Sequence, residues 1–215
     1  MSMFLPVLAP FLAAAAAGAT PEAAPPEGMV RSDLPGLVTA SEYPADALAE
    51  GRQVAAAIEM RVDPNGLPVG CRVVSAQGDA ALAERVCSIA LAKRYAAAHL
   101  LIGSAAYARV TTMVRLFIPG AAGADAIAAA RMPPDYEVRM AAAPGSAAVT
   151  DVRMVLETNR KGQVTQCGAR DDAQADLAEA ICKVRTIFRA EPLADQRGEA
   201  VPYVTEATVR VHAGG

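Results

Sequence analysis

The sequence predicts an α+β fold built from two tandem small domains, each a three-stranded antiparallel sheet covered by one helix in the order strand, strand, helix, strand. Three observations carry this. First, the stretch "GLPVGCRVVSAQGDAALAERVC" from Gly66 to Cys87 returns as "GQVTQCGARDDAQADLAEAIC" from Gly162 to Cys182. Gly66 and Cys71 answer Gly162 and Cys167 at an offset of 96 positions, and Leu82 and Cys87 answer Leu177 and Cys182 at 95. That spacing is longer than the short periods of solenoids and propellers and marks a duplicated domain. Second, apolar residues alternate with polar or small ones before and after each such stretch, the period of a strand. Third, a helical apolar stripe lies between the strands in both copies.

Element by element, residues 44–51 open with a proline and stop at a glycine, which suits one or two helical turns. Ala56, Ile58, Met60 and Val62 alternate with Ala57, Glu59 and Arg61 and read as a half-buried strand. Asp63-Pro64-Asn65-Gly66 is a tight turn, and Cys71 begins the return strand of a hairpin. Asp79 is placed to cap a helix over 80–94, where Leu82, Val86 and Ile89 share one face. An irregular stretch follows Tyr95, and an alternating strand closes the unit over 109–118. The second unit repeats the plan with strands over 152–158, 163–169 and 201–211. Its turn is Asn159 to Gly162, and its helix over 173–188 carries Leu177, Ile181, Val184 and Phe188. Asp171 and Asp172 precede this helix, one as its cap and the other as surface charge.

Outside the units, residues 1–19 carry an apolar run ending in Ala17-Gly18-Ala19, which fits the small-residue site of a cleaved signal peptide, although no Lys or Arg precedes the run. Residues 20–36 form a proline-rich linker, 37–118 the first domain, 119–134 a second linker with an alanine-rich middle, and 135–215 the second domain. Retention of the N-terminal run as an inner-membrane anchor is the alternative to cleavage.

Export gives the four cysteines a meaning, because an oxidising compartment permits disulfides. Of the three connectivities, the duplication favours Cys71–Cys87 and Cys167–Cys182, one staple per unit. Closing a loop of roughly 15 residues is worth about 3 kcal/mol in the chain-entropy model. That matters for a chain with 53% hydrophobic but only 4% aromatic residues, whose core side chains are small. A zinc site lacks any C-x-x-C pair, and the two histidines, His99 and His212, lie in unlike contexts; reduced, buried cysteines are the remaining alternative.

The 215-residue chain has a formal charge of −3. That balance argues against a nucleic-acid partner, which needs a basic face. No G-x-S-x-G elbow, phosphate-cradling glycine loop or H-E-x-x-H occurs, so we expect no enzyme, no cofactor and no metal. Glu84 and Glu179 sit at matching helical positions on a solvated face.

A family resemblance emerges from "EYPADALAEG", "VDPNG", "CRVVSAQGDAALAERVC" and "TMVRLF", which together resemble the C-terminal periplasmic domain of TonB-family proteins. The second unit is similar in "TNRKGQV", "ADLAEAIC", "IFRAEPLADQRGEAVP" and "ATVRV", but has "MPPDYEVRMAAAPG" in place of the Tyr-Pro opening. The resemblance implies a periplasmic protein-binding module that grips an extended segment of an envelope protein, an outer-membrane transporter for example, by strand addition. Two alternatives stand beside it: a membrane-anchored energy transducer, and an assembly protein whose two domains pair with each other or whose chains form a homodimer. The expected binding edge is the final strand of a unit. Its residues are Arg109, Thr111, Met113 and Arg115 in the first, and Thr205, Ala207, Val209 and Arg210 in the second. Arg109, Arg115 and Arg210 would steer acidic flanks of the ligand.

Overall fold

The computed structural model describes residues 37–140 and 149–214. The expected signal peptide (1–19) and proline-rich linker (20–36) lie outside the described residues. After a 3-10 turn at Ala40–Glu42 and the short helix α1 (Ala45–Ala49), the first hairpin pairs β1 (Val54–Val62) with β2 (Pro68–Gly78). The helix α2 (Ala80–Leu91) follows, then the two-residue β3 (Ala98–His99) and the long β4 (Ala105–Leu116), which pairs antiparallel with β1. A connecting segment carries α3 (Ala124–Ala129) and leads to β5 (Tyr136–Met140). The second hairpin pairs β6 (Val149–Thr158) with β7 (Val164–Ala169), followed by α4 (Ala175–Cys182). The small ribbon β8 (Leu193–Ala194) and β9 (Ala200–Val201) precedes the last strand, β10 (Tyr203–Ala213).

The element order of the duplication is therefore present, but not as two separate sheets. One mixed sheet runs β2-β1-β4-β10-β6-β7, with β3 appended to β4 and β5 to β10. The halves meet where Tyr203, Val204 and Thr205 of β10 pair in parallel with Tyr107, Ala108 and Arg109 of β4. Duplication itself produces this correction to the expected two-sheet layout. Each unit ends its sheet on an unsatisfied strand edge, and two copies of that edge can satisfy each other.

Parallel pairing of equivalent strands turns one unit over relative to the other. Side chains alternate across a strand, and Ala108 and Val204, in register at the junction, both belong to the first core, under α2. Ala207, Val209 and Val211 point the other way and form the second core with Leu177, Ala178 and Ile181 of α4. The two helices thus cover opposite faces of one sheet. Val155 and Val204, from the second unit, are buried in the first unit's core.

Local geometry explains why each hairpin has its shape. Asp63 and Asn159 occupy equivalent positions, each accepting two backbone N–H bonds within its own turn. Gly66 and Gly162 have φ of +78° and +75°, and in each case a Cβ would collide with a backbone carbonyl, that of Tyr95 or of Ala190. The same glycines accept from the amides of Tyr95 and Ala190, so the chain leaving each helix is tied to the hairpin turn.

Several expectations change. β1 is buried on both faces, Ala55, Ala57 and Glu59 as well as Ile58 and Met60, because the connection at 119–134 folds across one part of the second face and the 191–194 segment lies over Glu59. Ile127 of α3 is buried and lies over Gly78. Gln53 bonds Ile118 N–H and the Ala122 carbonyl, and Arg115 grips the Ala130 carbonyl. This segment packs on the sheet and carries α3 in its alanine-rich middle. Asp79 does cap α2, accepting from Leu82 N–H. Asp171 and Asp172 make no cap bond; a 3-10 turn intervenes and Asp171 instead pairs with Arg153. The expected helix over 173–188 breaks after Cys182, leaving Val184 exposed while Phe188 returns to the core from a separate 3-10 turn.

Candidate functional site

Strand edges decide where an extended partner could pair, so each expected binding residue is located by its edge. Thr205, Ala207, Val209 and Arg210 lie on β10, which is flanked on both sides. β6 pairs along Tyr203 to His212, while β4 covers Tyr203 to Thr205 and β5 covers Val209 to Ala213 on the other side. The gap between them is bridged by Asp135, whose N–H donates to the Thr208 carbonyl and whose carboxylate accepts from Thr208 N–H. Burial pushes the Asp135 carboxyl up despite that bond. β10 is a central strand, and the expected second edge is closed.

β4 differs. Arg109 sits at the junction, but beyond it no described strand pairs with β4 on the side away from β1. Thr111 and Met113 are half-buried along that stretch. Continuing the register would set β4 residues 113–116 beside β10 residues 209–212, where β5 lies instead. β5 arises from "DYEVRM", read above only as a missing Tyr-Pro opening; no local pattern signals a parallel partner some 70 residues away.

The outer edges contrast as well. β7 is six residues long, and Arg185 Nε donates to its Thr165 carbonyl. β2 has eleven residues, a bulge at Val74, and six uncharged positions from Val73 to Gly78.

The arginines expected to steer a ligand are committed within the molecule. Arg210 makes a two-pronged pair with Asp151, holding that carboxyl below its ordinary range. Arg115 is bound to the Ala130 carbonyl. Arg109 Nε approaches Glu59 at 3.2 Å, and its Nη1 donates to the Glu191 carbonyl at 3.1 Å. Tyr203 Oη donates to the same carbonyl at 2.6 Å, and burial raises its phenol. One residue from each unit's final strand therefore holds the 191–194 turn over the sheet.

Beneath that turn lies a cavity of about 430 Å³ whose floor is β2, β1 and β4 and whose wall is the turn. Glu59 is nearly enclosed and is paired on one side with Arg72 at 2.8 Å and on the other with Arg109. Arg61 follows on the same face, lying over Gly70. None of Glu59, Arg61, Arg72 or Glu191 was singled out from the sequence. A lone carboxylate within an alternating strand and a glycine inside its partner strand are the signals that point here.

The disulfides stand as Cys71–Cys87 and Cys167–Cys182, with Cα separations of 5.5 and 5.8 Å, each joining the second strand of a hairpin to its helix. Among the described residues no helix is long and apolar enough to cross a membrane.

Together these features define a disulfide-stapled sheet scaffold with a partly open backbone edge. Residues 39–115, the first unit up to β4, match the family model described as the Gram-negative bacterial TonB protein C-terminal, a type of non-enzymatic protein-interaction domain. No curated protein and no solved structure gives a significant match to the chain.

Proposed function

We propose that the protein is an exported, periplasmic protein-interaction module that grips an extended segment of an envelope protein by adding it as a strand to β4. The observation that carries this reading is the position of the open stretch. It lies on the last strand of the unit matching the TonB C-terminal model, from Val110 to Leu116, with no described strand beside it on the side away from β1. Main-chain hydrogen bonds to such an edge supply affinity, and the half-buried Thr111 and Met113 would contact alternate side chains of the guest. On this reading the second unit is a diverged copy of the same domain.

The pairing of β4 with β10 favours one further element, from the alternative in which the domains pair with each other. The second unit acts as a fixed neighbour that closes part of the first unit's edge and limits the guest to the remainder.

Photo-crosslinking in intact envelopes tests the reading. A crosslinking residue at Thr111 or Met113 should capture a discrete envelope protein, while the same residue at Thr208, on the closed strand β10, should not. Equal capture at both positions, or none at either, counts against strand addition on β4.

A further inference from the structure

We propose that the cavity between the units is a binding site for the carboxylate of an acidic side chain in a polypeptide partner, with Arg61 as its ligating cation. The inference rests on the reading of the protein as a peptide-binding module but concerns a different part of it. Three guanidinium groups, from Arg61, Arg72 and Arg109, face the cavity against two carboxylates, from Glu59 and Glu191. Glu59 is satisfied by Arg72 and Arg109, and Arg109 also reaches the Glu191 carboxylate at 3.7 Å. The Arg61 side chain has no ion pair or hydrogen bond among the described residues. The site thus holds one cation in excess.

That excess selects the class of ligand. A carboxylate brings a single charge and two coplanar oxygens, which accept from two N–H groups along one edge of a guanidinium as a two-pronged pair. A phosphate dianion would meet Glu59 and Glu191 at close range with only one uncommitted cation to offset them. The cavity is also far larger than a carboxylate alone, and Pro192 and Leu193 give it an apolar wall for the methylenes and backbone of a side-chain donor.

Gly70 builds the site. It pairs directly with Arg61 across β1 and β2, and a Cβ there would lie 2.5 Å from Arg61 Nη2 and 2.7 Å from Nε. The missing side chain is what allows the guanidinium to lie across β2. Since the obstruction is the mobile end of a side chain, Gly70→Ala should fold normally and simply displace the guanidinium.

The test uses the full exported chain and two probes, the peptide Ac-Val-Thr-Glu-Thr-Val-NH2 and its glutamine counterpart, followed by titration calorimetry and by the NMR signal of the Arg61 Nε–H. The glutamate peptide should bind at least ten-fold more tightly than the glutamine peptide and shift the Arg61 signal. Arg61→Gln and Gly70→Ala should each abolish that preference, and Arg139→Gln, at an exposed position of β5, should preserve it. Equal binding of the two peptides overturns the inference, as does a preference that survives Arg61→Gln. Inorganic phosphate competing more strongly than acetate would reassign the site to another anion class and also overturns it. If neither peptide binds, the carboxylate site falls while the β4 reading stays subject to its own crosslinking experiment.

Discussion

The two units share a hairpin, a helix, a staple and a final strand, yet their final strands have different fates. β4 is paired along one side and only at its start on the other, whereas β10 is enclosed on both sides for nearly its whole length. The helices differ too. α2 runs twelve residues from a capping aspartate, and α4 runs eight from a residue that makes no cap bond. What gives the final strands their different fates lies outside the repeated residues. The first is entered through a 3-10 turn and α1, while the second is entered through β5, a strand that fills the edge of its own last strand. A duplicated element keeps its local fold, and its neighbours decide whether its edge remains available.

The largest expected effect tests whether the units are energetically separate. Cys71→Ser should cost about 3 kcal/mol, and Cys167→Ser a similar amount, because the closed loops are nearly equal in length. Denaturant unfolding without reductant measures both. Since Val155 and Val204 sit in the first unit's core, amide exchange in Cys71→Ser should rise across the junction at 203–205 as well as in β1 and β2. Exchange confined to the first unit would show that the shared core does not couple them.

Next in size are the turn glycines. Gly66→Ala and Gly162→Ala each place a side chain at positive φ and against a carbonyl, and each should cost about 2 kcal/mol. Equal losses in thermal melts would sharpen the equivalence of the hairpins; a large loss in one alone would break it. Asp79→Ala should cost about 1 kcal/mol through the lost cap. Asp171→Ala removes only an exposed pair with Arg153, and should change stability by no more than about 0.5 kcal/mol.

The smallest effect concerns the entry turn that only the first unit has. Lys93 and Thr39 donate to Glu42 and hold its carboxyl at about 2, below its ordinary value of 4.5. A depressed folded pKa means the contribution is complete above about 4.5 and fades as the pH falls toward about 2. Amides around 39–43 should therefore lose protection over that interval before the sheets do. Glu42→Gln should remove the dependence, as followed by NMR at successive pH values.

What was legible in the sequence was local. The turn at Asp63 to Gly66, the Asp79 cap, the Leu82 and Val86 stripe and the element order all arise from residues a few positions apart, where propensity and spacing act directly. The parts that escaped depend on which distant edges meet. Tyr107 and Tyr203 carry no sign of pairing in parallel, "DYEVRM" is too short to stand out as a strand, and the alanine-rich connection looks like a spacer until its Ile127 is seen buried on the sheet. The site was missed for the same reason. Arg109 reads as an edge charge in the sequence, but Glu59 reaches it only through the pairing of β1 with β4, and Glu191 only through the union of the units.

The junction also sets an order of events in time. Hairpin, helix and β4 of the first unit are complete once residue 116 has been made, whereas the pairing of Tyr107 with Tyr203 waits for 87 further residues. Closing so long a loop is slow compared with forming either hairpin. A nascent chain therefore passes through an interval in which the whole edge of β4 away from β1 lies open and the roof over Glu59 and Arg61 is absent. Any chaperone or premature partner that recognises an extended edge meets a wider target then than in the finished molecule, and the last strand to be synthesised is the one that ends that interval.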